Sequence, residues 1–252
     1  MKHLLSADNA EVLAQLAWAR VLIAFDFDGT LAPIVANRDE ANMRPRTREL
    51  FAAACLHYPC AVISGRGKRD VSARLGAAPV KYVIGNHGLE PGASLEEFEE
   101  EMAEARARLE SALVGVPGID LEDKRYSLAL HYRRSRNKRV ARAAILGAVK
   151  ALRVSMRVVP GKLVVNVVPG RAPNKGDALL ELRDAERADT ALYVGDDVTD
   201  EDVFELDQPG RLLTVRVGES GASAAAYFLR DQTEMDRLLA KLVSLRALRS
   251  EP

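Results

Sequence analysis

The apolar positions of this chain fall into short continuous runs separated by longer stretches of one-sided periodicity. Residues Val21–Phe25 (Val-Leu-Ile-Ala-Phe) are apolar at every position, the pattern of a parallel strand buried on both faces. Residues 60–63, 191–194 and 212–217 repeat it, and residues 81–84 read as a further core strand. Between them lie helical patterns at residues 47–56 and 175–182, and a one-sided apolar stretch predicts an N-terminal helix near residues 8–19. Strands alternating with helices predict an α/β fold, a doubly wound and mostly parallel sheet with right-handed crossovers.

The middle of the chain follows another rule. Leu95, Phe98, Met102, Ala105, Leu109 and Leu113 recur at helical spacing. Glutamates crowd the start of this stretch and Arg106 and Arg108 sit nearer its end, as the helix dipole favours. Residues 127–133 then alternate, with Leu128, Leu130 and Tyr132 on one face and Ser127, His131 and Arg133 on the other. A helix is predicted at 138–152, then strands at 154–159 and 163–168 joined by a Pro160-Gly161 turn. This βαββ unit predicts a smaller α/β domain inserted at residues 93–171. The core is then split into 1–92 and 172–252, with linkers near Pro91-Gly92 and at 169–173.

Composition sets limits. Lysine plus arginine equals aspartate plus glutamate at 36 each, so no overall field favours nucleic acid or an anionic membrane. The cluster from Arg133 to Arg139 reads as a solvated turn. No apolar run approaches the ~18 residues of a membrane span and the N-terminus has no signal-peptide pattern, so a cytoplasmic protein with no membrane partner is expected. Cys55 and Cys60 read as buried free thiols.

Four segments carry chemistry. Strand 21–25 ends in Asp26-Phe27-Asp28-Gly29-Thr30, which leaves two carboxylates two residues apart at the carboxyl end of a parallel strand, where open α/β sheets bind ligands. Strand 191–194 ends in Gly195-Asp196-Asp197-Val198-Thr199-Asp200-Glu201-Asp202. If the two strands are neighbours the acids converge, and oxygen-only ligands suit a hard divalent ion, magnesium above all. An acidic helix cap accounts for part of 200–202. Ser64-Gly65-Arg66 follows a strand and opens a helix, offering a hydroxyl and free N–H groups to an anion. Asn174-Lys175-Gly176 opens another helix, where a lysine can neutralise a phosphate and an aspartate together.

Taken in this order, the four segments resemble the four motifs of the haloacid dehalogenase superfamily of phosphatases, and the insertion between the second and third resembles that superfamily's larger α/β cap. The resemblance narrows to the trehalose-6-phosphate phosphatase family. Gly195-Asp196-Asp197-x-Thr199-Asp200-Glu201-Asp202 and Gly85-Asn86-His87-Gly88 are similar to its motifs. So are Glu122-x-Lys124-x-x-Ser127-x-x-x-His131-Tyr132-Arg133 and Gly161-Lys162 followed by Pro169. One position departs: Asn166 stands where the family has glutamate.

The resemblance implies a magnesium-dependent hydrolysis of trehalose 6-phosphate through an aspartyl-phosphate. Asp26 is implied as nucleophile and Asp28 as acid–base. Thr30, Ser64, Gly65 and Lys175 would bind the phosphoryl group. Asp26, Asp28 and Asp196 would hold the metal, with Asp197 and Asp200 as lesser ligands. Arg66, Asn86, His87, Glu122, Lys124, Ser127, His131, Arg133, Lys162 and Asn166 would meet the substrate. The expected partner is a small sugar phosphate and the expected state a monomer. Asn166 keeps open a related substrate, such as sucrose 6-phosphate or glucosylglycerol phosphate. A phosphoacceptor without turnover and a phosphotransferase are the other classes. The acid–base position of Asp28 and a cap of about 80 residues, the size of a small domain, speak against the phosphoacceptor.

Overall fold

A computed structural model describes residues 1–92, 95–161, 163–206 and 208–247. These residues form two compact units, Leu89–Pro173 and the remainder.

The larger unit is built on a seven-stranded sheet. In chain order its elements are β1 (Lys2–His3), α1 (Ala10–Trp18), β2 (Val21–Phe25), α2 (Pro45–His57), β3 (Cys60–Ile63), α3 (Lys68–Leu75) and β4 (Tyr82–Ile84). After the insertion come α6 (Lys175–Ala185), β9 (Thr190–Gly195), α7 (Glu201–Phe204), β10 (Leu212–Val217), β11 (Tyr227–Leu229) and α8 (Glu234–Ala247). The strand order is β1-β11-β10-β9-β2-β3-β4 and every pairing is parallel. Strand β2 is buried at all five positions because both sheet faces are covered. Ile23 and Phe25 face a cluster with α1, α2, α3 and α8, while Leu22 and Ala24 face α6 and α7. Leu22, Ile23 and Phe25 each contribute about 1.5–3 kcal/mol on burial. The expected doubly wound sheet is therefore present. Helix α1 packs Leu13 and Leu16 into the same cluster as α8.

The smaller unit holds α4 (Leu95–Leu113), β5 (Asp120–Asp123), β6 (Leu128–His131), α5 (Lys138–Lys150), β7 (Met156–Gly161) and β8 (Val164–Pro169). Its sheet is antiparallel, in the order β5-β6-β8-β7. Leu128, Leu130, Val165 and Val167 pack on Met102, Leu109, Ala141 and Ile145 of the two helices. The alternation read at 127–133 is the helix-covered face of β6, with Leu128 and Leu130, and its opposite face, with Ala129 and His131. Two local expectations differ from the structure. Pro160 and Gly161 end β7 instead of forming the turn, and Leu163 adopts the left-handed φ of 61°. Strand β5 adds an edge where half-exposed and exposed positions gave no apolar alternation to read.

No helix among the described residues is long and apolar enough to cross a membrane. Cys55 and Cys60 form no disulfide there.

Leu130, wholly buried between the sheet and helices of the smaller unit, tests that core. Leu130→Ala is expected to lower unfolding free energy by about 2–5 kcal/mol, read by urea titration.

Candidate functional site

Strands β2 and β9 are hydrogen-bonded neighbours, with Phe25 beside Val194. Their carboxyl ends therefore deliver both acidic segments to one place, and the Asp26 N–H donates to the Val194 carbonyl at 2.9 Å. Chain order reverses here: β3 and β4 lie on one side of β2, β9 to β11 on the other. Such a switch point opens a crevice at the strand ends.

Lys175 enters from the first turn of α6. Asn174 caps that helix, its side chain accepting from the Asp177 N–H at 2.9 Å while Asp177 accepts from the Asn174 N–H at 3.0 Å. The Lys175 ammonium is buried and donates to Asp26 Oδ1 at 2.9 Å and to Asp200 Oδ1 at 2.7 Å. Burial alone would lower its pKa, but the two carboxylates outweigh it and hold it above the ordinary value. Asp200 accepts from the Tyr193 hydroxyl at 2.6 Å through the same oxygen. Its other oxygen accepts from the N–H groups of Asp196 and Asp197 at 2.8 and 2.9 Å. These four contacts match the lone-pair capacity of a carboxylate, so Asp200 is the anchor that shapes the 195–200 loop.

Asp196 is arranged differently. Its Oδ1 is buried and has no hydrogen-bond partner among the described residues. The carboxylate lies tight against Gly29, where a Cβ would meet Asp196 Oδ2 at 2.0 Å and where φ is 84°. Only glycine allows the turn and the approach together. One oxygen each from Asp26, Asp196 and Asp200 lies within 4.8 Å of the others. Burial, then repulsion from Asp26 and Asp200, pushes Asp196 up to about 8. Burial, with repulsion from Asp200 and Asp28 only partly offset by Lys175, pushes Asp26 up to about 7. One buried lysine does not neutralise the carboxylates gathered here. An orphaned carboxylate oxygen among oxygen donors fits a hard cation, with Asp26 and Asp196 having the freer oxygens.

Asp28 has its own cation. Arg66 Nε donates to Asp28 Oδ2 at 2.6 Å and Nη2 to Oδ1 at 2.7 Å. The Arg66 side chain is 1% exposed against 39% for Asp28. Nη1 donates to Asp70 on α3 at 2.8 Å. Burial would raise the Asp70 carboxyl, but Arg66 and Arg74 overcome it and hold it below its ordinary value. Ser64 is fully buried and its Oγ accepts from the Arg66 N–H at 3.1 Å. The Thr30 hydroxyl is fully buried with no partner among the described residues, while its carbonyl accepts from Gln232 Nε2 at 3.0 Å. Asn86 and His87 are buried in left-handed conformations, at φ 47° and 60°. The His87 ring covers Gly65, where a Cβ would come within 2.5 Å of the imidazole.

The larger unit thus brings together Asp26, Asp196, Asp200 and Lys175, and beside them Asp28 with Arg66 and Ser64 with His87. Arg66, expected at the sugar, has its guanidinium engaged by two aspartates and the Arg38 carbonyl. Asp197 is exposed. Reading the sequence missed Tyr193, Asp70 and Gln232. Tyr193 looked like one more apolar strand position, and the other two lie outside any strand end.

In the smaller unit, Glu122, His131 and Asn166 lie on the sheet face away from the helices, in the register that pairs Glu122 and Asn166 with Ala129. Glu122 accepts from or shares a proton with His131 Nε2 at 2.9 Å. Asn166 is buried, and its Nδ2 lies 3.4 Å from the Val159 carbonyl. Ser127 is buried, Lys124 half-buried and Arg133 exposed. Lys162 lies outside the described residues.

The switch-point sheet, the acid-tipped central strands and the inserted α/β domain define a haloacid dehalogenase-like α/β fold. Residues 24–232 match the trehalose-phosphatase family, and the chain belongs to that family. It is 33% identical over 242 residues to the trehalose-phosphate phosphatase of Mycobacterium ulcerans (strain Agy99), across 89% of this chain and 62% of that one. The chain therefore spans about three fifths of the length of such curated relatives. Its fold resembles that of the C. albicans trehalose-6-phosphate phosphatase C-terminal domain, with a TM-score of 0.78 at 21% identity over 94% of this chain and 97% of that one. It also resembles the Candida albicans trehalose synthase regulatory protein C-terminal domain, with a TM-score of 0.69 at 14% identity over 93% and 97%.

Asp200→Asn removes a charge from a fully buried carboxylate that faces a buried ammonium. Asp26 still pairs with Lys175 in that variant, so what is lost is the charge-assisted hydrogen bonding around Asp200, expected to cost about 1.5–3 kcal/mol of stability. Tyr193→Phe should cost nearer ~1 kcal/mol, one neutral hydrogen-bond donor. Chemical denaturation of both variants checks the ranking.

Proposed function

We propose that the protein is a magnesium-dependent phosphatase that hydrolyses trehalose 6-phosphate. One observation carries the reading. At the switch point a buried lysine holds Asp26 while the neighbouring half-buried Asp196 keeps a buried carboxylate oxygen without a partner among the described residues. A fold alone does not make an enzyme, and it is these side chains that support turnover.

Asp26 is the nucleophile in this reading. Its carboxylate attacks phosphorus, a Cγ–O–P link forms, and the bond from phosphorus to the sugar oxygen breaks. Asp28 gives a proton to that oxygen as it leaves. It then takes a proton from the water that cleaves the aspartyl-phosphate, which restores Asp26 and releases phosphate. Proton transfer from a placed group is worth about 10²–10⁴-fold. Lys175 and the turn at Ser64-Gly65 hold the phosphoryl oxygens as charge builds on them. Asp26, Asp196 and the main-chain carbonyl of Asp28 would hold magnesium, whose charge offsets the repulsion between a carboxylate and a phosphate dianion. The polar face of the cap sheet, with Glu122, His131 and Asn166, is read as the part that recognises sugar hydroxyls.

The direct test is phosphate release from trehalose 6-phosphate beside glucose 6-phosphate, sucrose 6-phosphate and glucosylglycerol phosphate, with and without magnesium. A magnesium-dependent preference of about 100-fold for trehalose 6-phosphate, roughly 2.7 kcal/mol, is expected. Preference for another sugar would keep the chemistry and reassign the cap, and no release from any of them would reject the reading. Asp26→Asn should abolish release while the melting curve stays cooperative.

Metal binding has an independent readout. Because the folded state holds Asp26 up to about 7 and Asp196 up to about 8, it binds protons that the unfolded chain has already lost. The stability these groups confer is complete below the ordinary carboxylate range and disappears as pH rises through those values. Magnesium competes with the same protons. The rise in melting temperature on adding magnesium should therefore be several degrees at about pH 8.5 and clearly smaller at about pH 6. A rise that is equal at both, or absent, would count against these ligands.

A further inference from the structure

Resting on the phosphatase reading, we propose that Arg66, braced by Asp70, is a positioning residue that aims the Asp28 carboxyl at the leaving oxygen. Asp28 stands on a turn with 39% of its side chain exposed, next to Gly29 at φ 84°. Proton transfer needs an oxygen within hydrogen-bond reach of the leaving group. Arg66 supplies that constraint. Two donors of its planar fork take both Asp28 oxygens, at 2.6 and 2.7 Å, which sets the plane of the carboxyl as well as its distance.

The fork itself cannot swing. Its third nitrogen is taken by Asp70 at 2.8 Å, and Nη2 also donates to the Arg38 carbonyl at 2.7 Å. The guanidinium carbon lies 5.8 Å from the centre of the Phe27 ring, and the side chain is 1% exposed. Asp70 is held in turn. Arg74 donates to it at 2.8 Å and reaches the carbonyls of Asp39 and Ala41 at 3.0 and 2.7 Å. A chain of contacts thus runs from α3 through Asp70 and Arg66 to Asp28, and the same helix pins residues 38–41 beyond the motif. Lysine has the charge of arginine without the fork. A displacement of about 1 Å at a reacting group can cost 10²-fold.

The test uses leaving groups. A sugar alkoxide needs a proton as the bond to phosphorus breaks, whereas p-nitrophenolate leaves without one. The ratio kcat/KM reports substrate binding and phosphoryl transfer to Asp26 but not hydrolysis of the aspartyl-phosphate, because loss of the alcohol is irreversible. For Arg66→Lys, kcat/KM on trehalose 6-phosphate is expected to fall about 100-fold and on p-nitrophenyl phosphate less than about 5-fold. Asp70→Asn should show the same imbalance at about 10-fold. Asp70 carries 43% side-chain exposure, so this second variant serves if Arg66→Lys does not fold. An equal fall on both substrates would make Arg66 a structural brace only, and no fall on either would remove the role; each outcome overturns the proposal. Wild-type protein inert on both substrates would instead overturn the phosphatase reading itself.

Discussion

The ammonium of Lys175 between Asp26 and Asp200 is the contact on which the site depends. It is buried, and moving an ammonium out of water costs several kcal/mol unless geometry repays it. Here two short contacts do so, at 2.9 and 2.7 Å. The same ion pair ties the first turn of α6 to the ends of β2 and β9, so the strand ends and the helix cannot separate without exposing an unpaired charge. Yet the repayment is incomplete. Asp26, Asp196 and Asp200 bring three carboxylates to one lysine, and the upward pressure on Asp26 and Asp196 is the residue of that imbalance. The protein keeps an electrostatic debt that a cation would settle.

The two acids of the first motif escape equivalence in spite of being two residues apart. Asp26 is buried and meets an ammonium, a point charge. Asp28 is partly exposed and meets a guanidinium, a planar fork. In the proposed function Asp26 would be the nucleophile, which needs one oxygen facing its target, and Asp28 the proton carrier, which needs a controlled plane. Environments that separate two nearby carboxyls are how one fold assigns them different tasks. The partners come from different elements, Lys175 from the first turn of α6 and Arg66 from the turn before α3.

Asp200 illustrates how an acid can belong to a metal-like cluster and still have a different job. With Lys175, Tyr193 and two backbone N–H groups around it, it spends its acceptors inside the protein. In doing so it turns the 195–200 loop so that Asp196 faces Gly29. The loop shape and the orphaned Asp196 oxygen are thus consequences of one another.

The strands and the acidic segments at their ends were legible in the chain itself, because parallel strands buried on both faces are apolar throughout and the acids follow them directly in the sequence. Helix spacing and the alternation at Leu128, Leu130 and Tyr132 revealed the second sheet for a different reason, because its helices cover one face only. The short edge strands β1 and β5 were not legible, since an edge strand need not be apolar on both faces, and β11, three residues between β1 and β10, is too short to leave an apolar run. The turn at Pro160-Gly161 was misplaced by a proline that an antiparallel strand accommodates. Only the tertiary structure decided who partners whom. Arg66 with Asp28 joins positions 38 apart, from the ends of β3 and β2, and no local pattern encodes a contact that exists because two strands lie side by side.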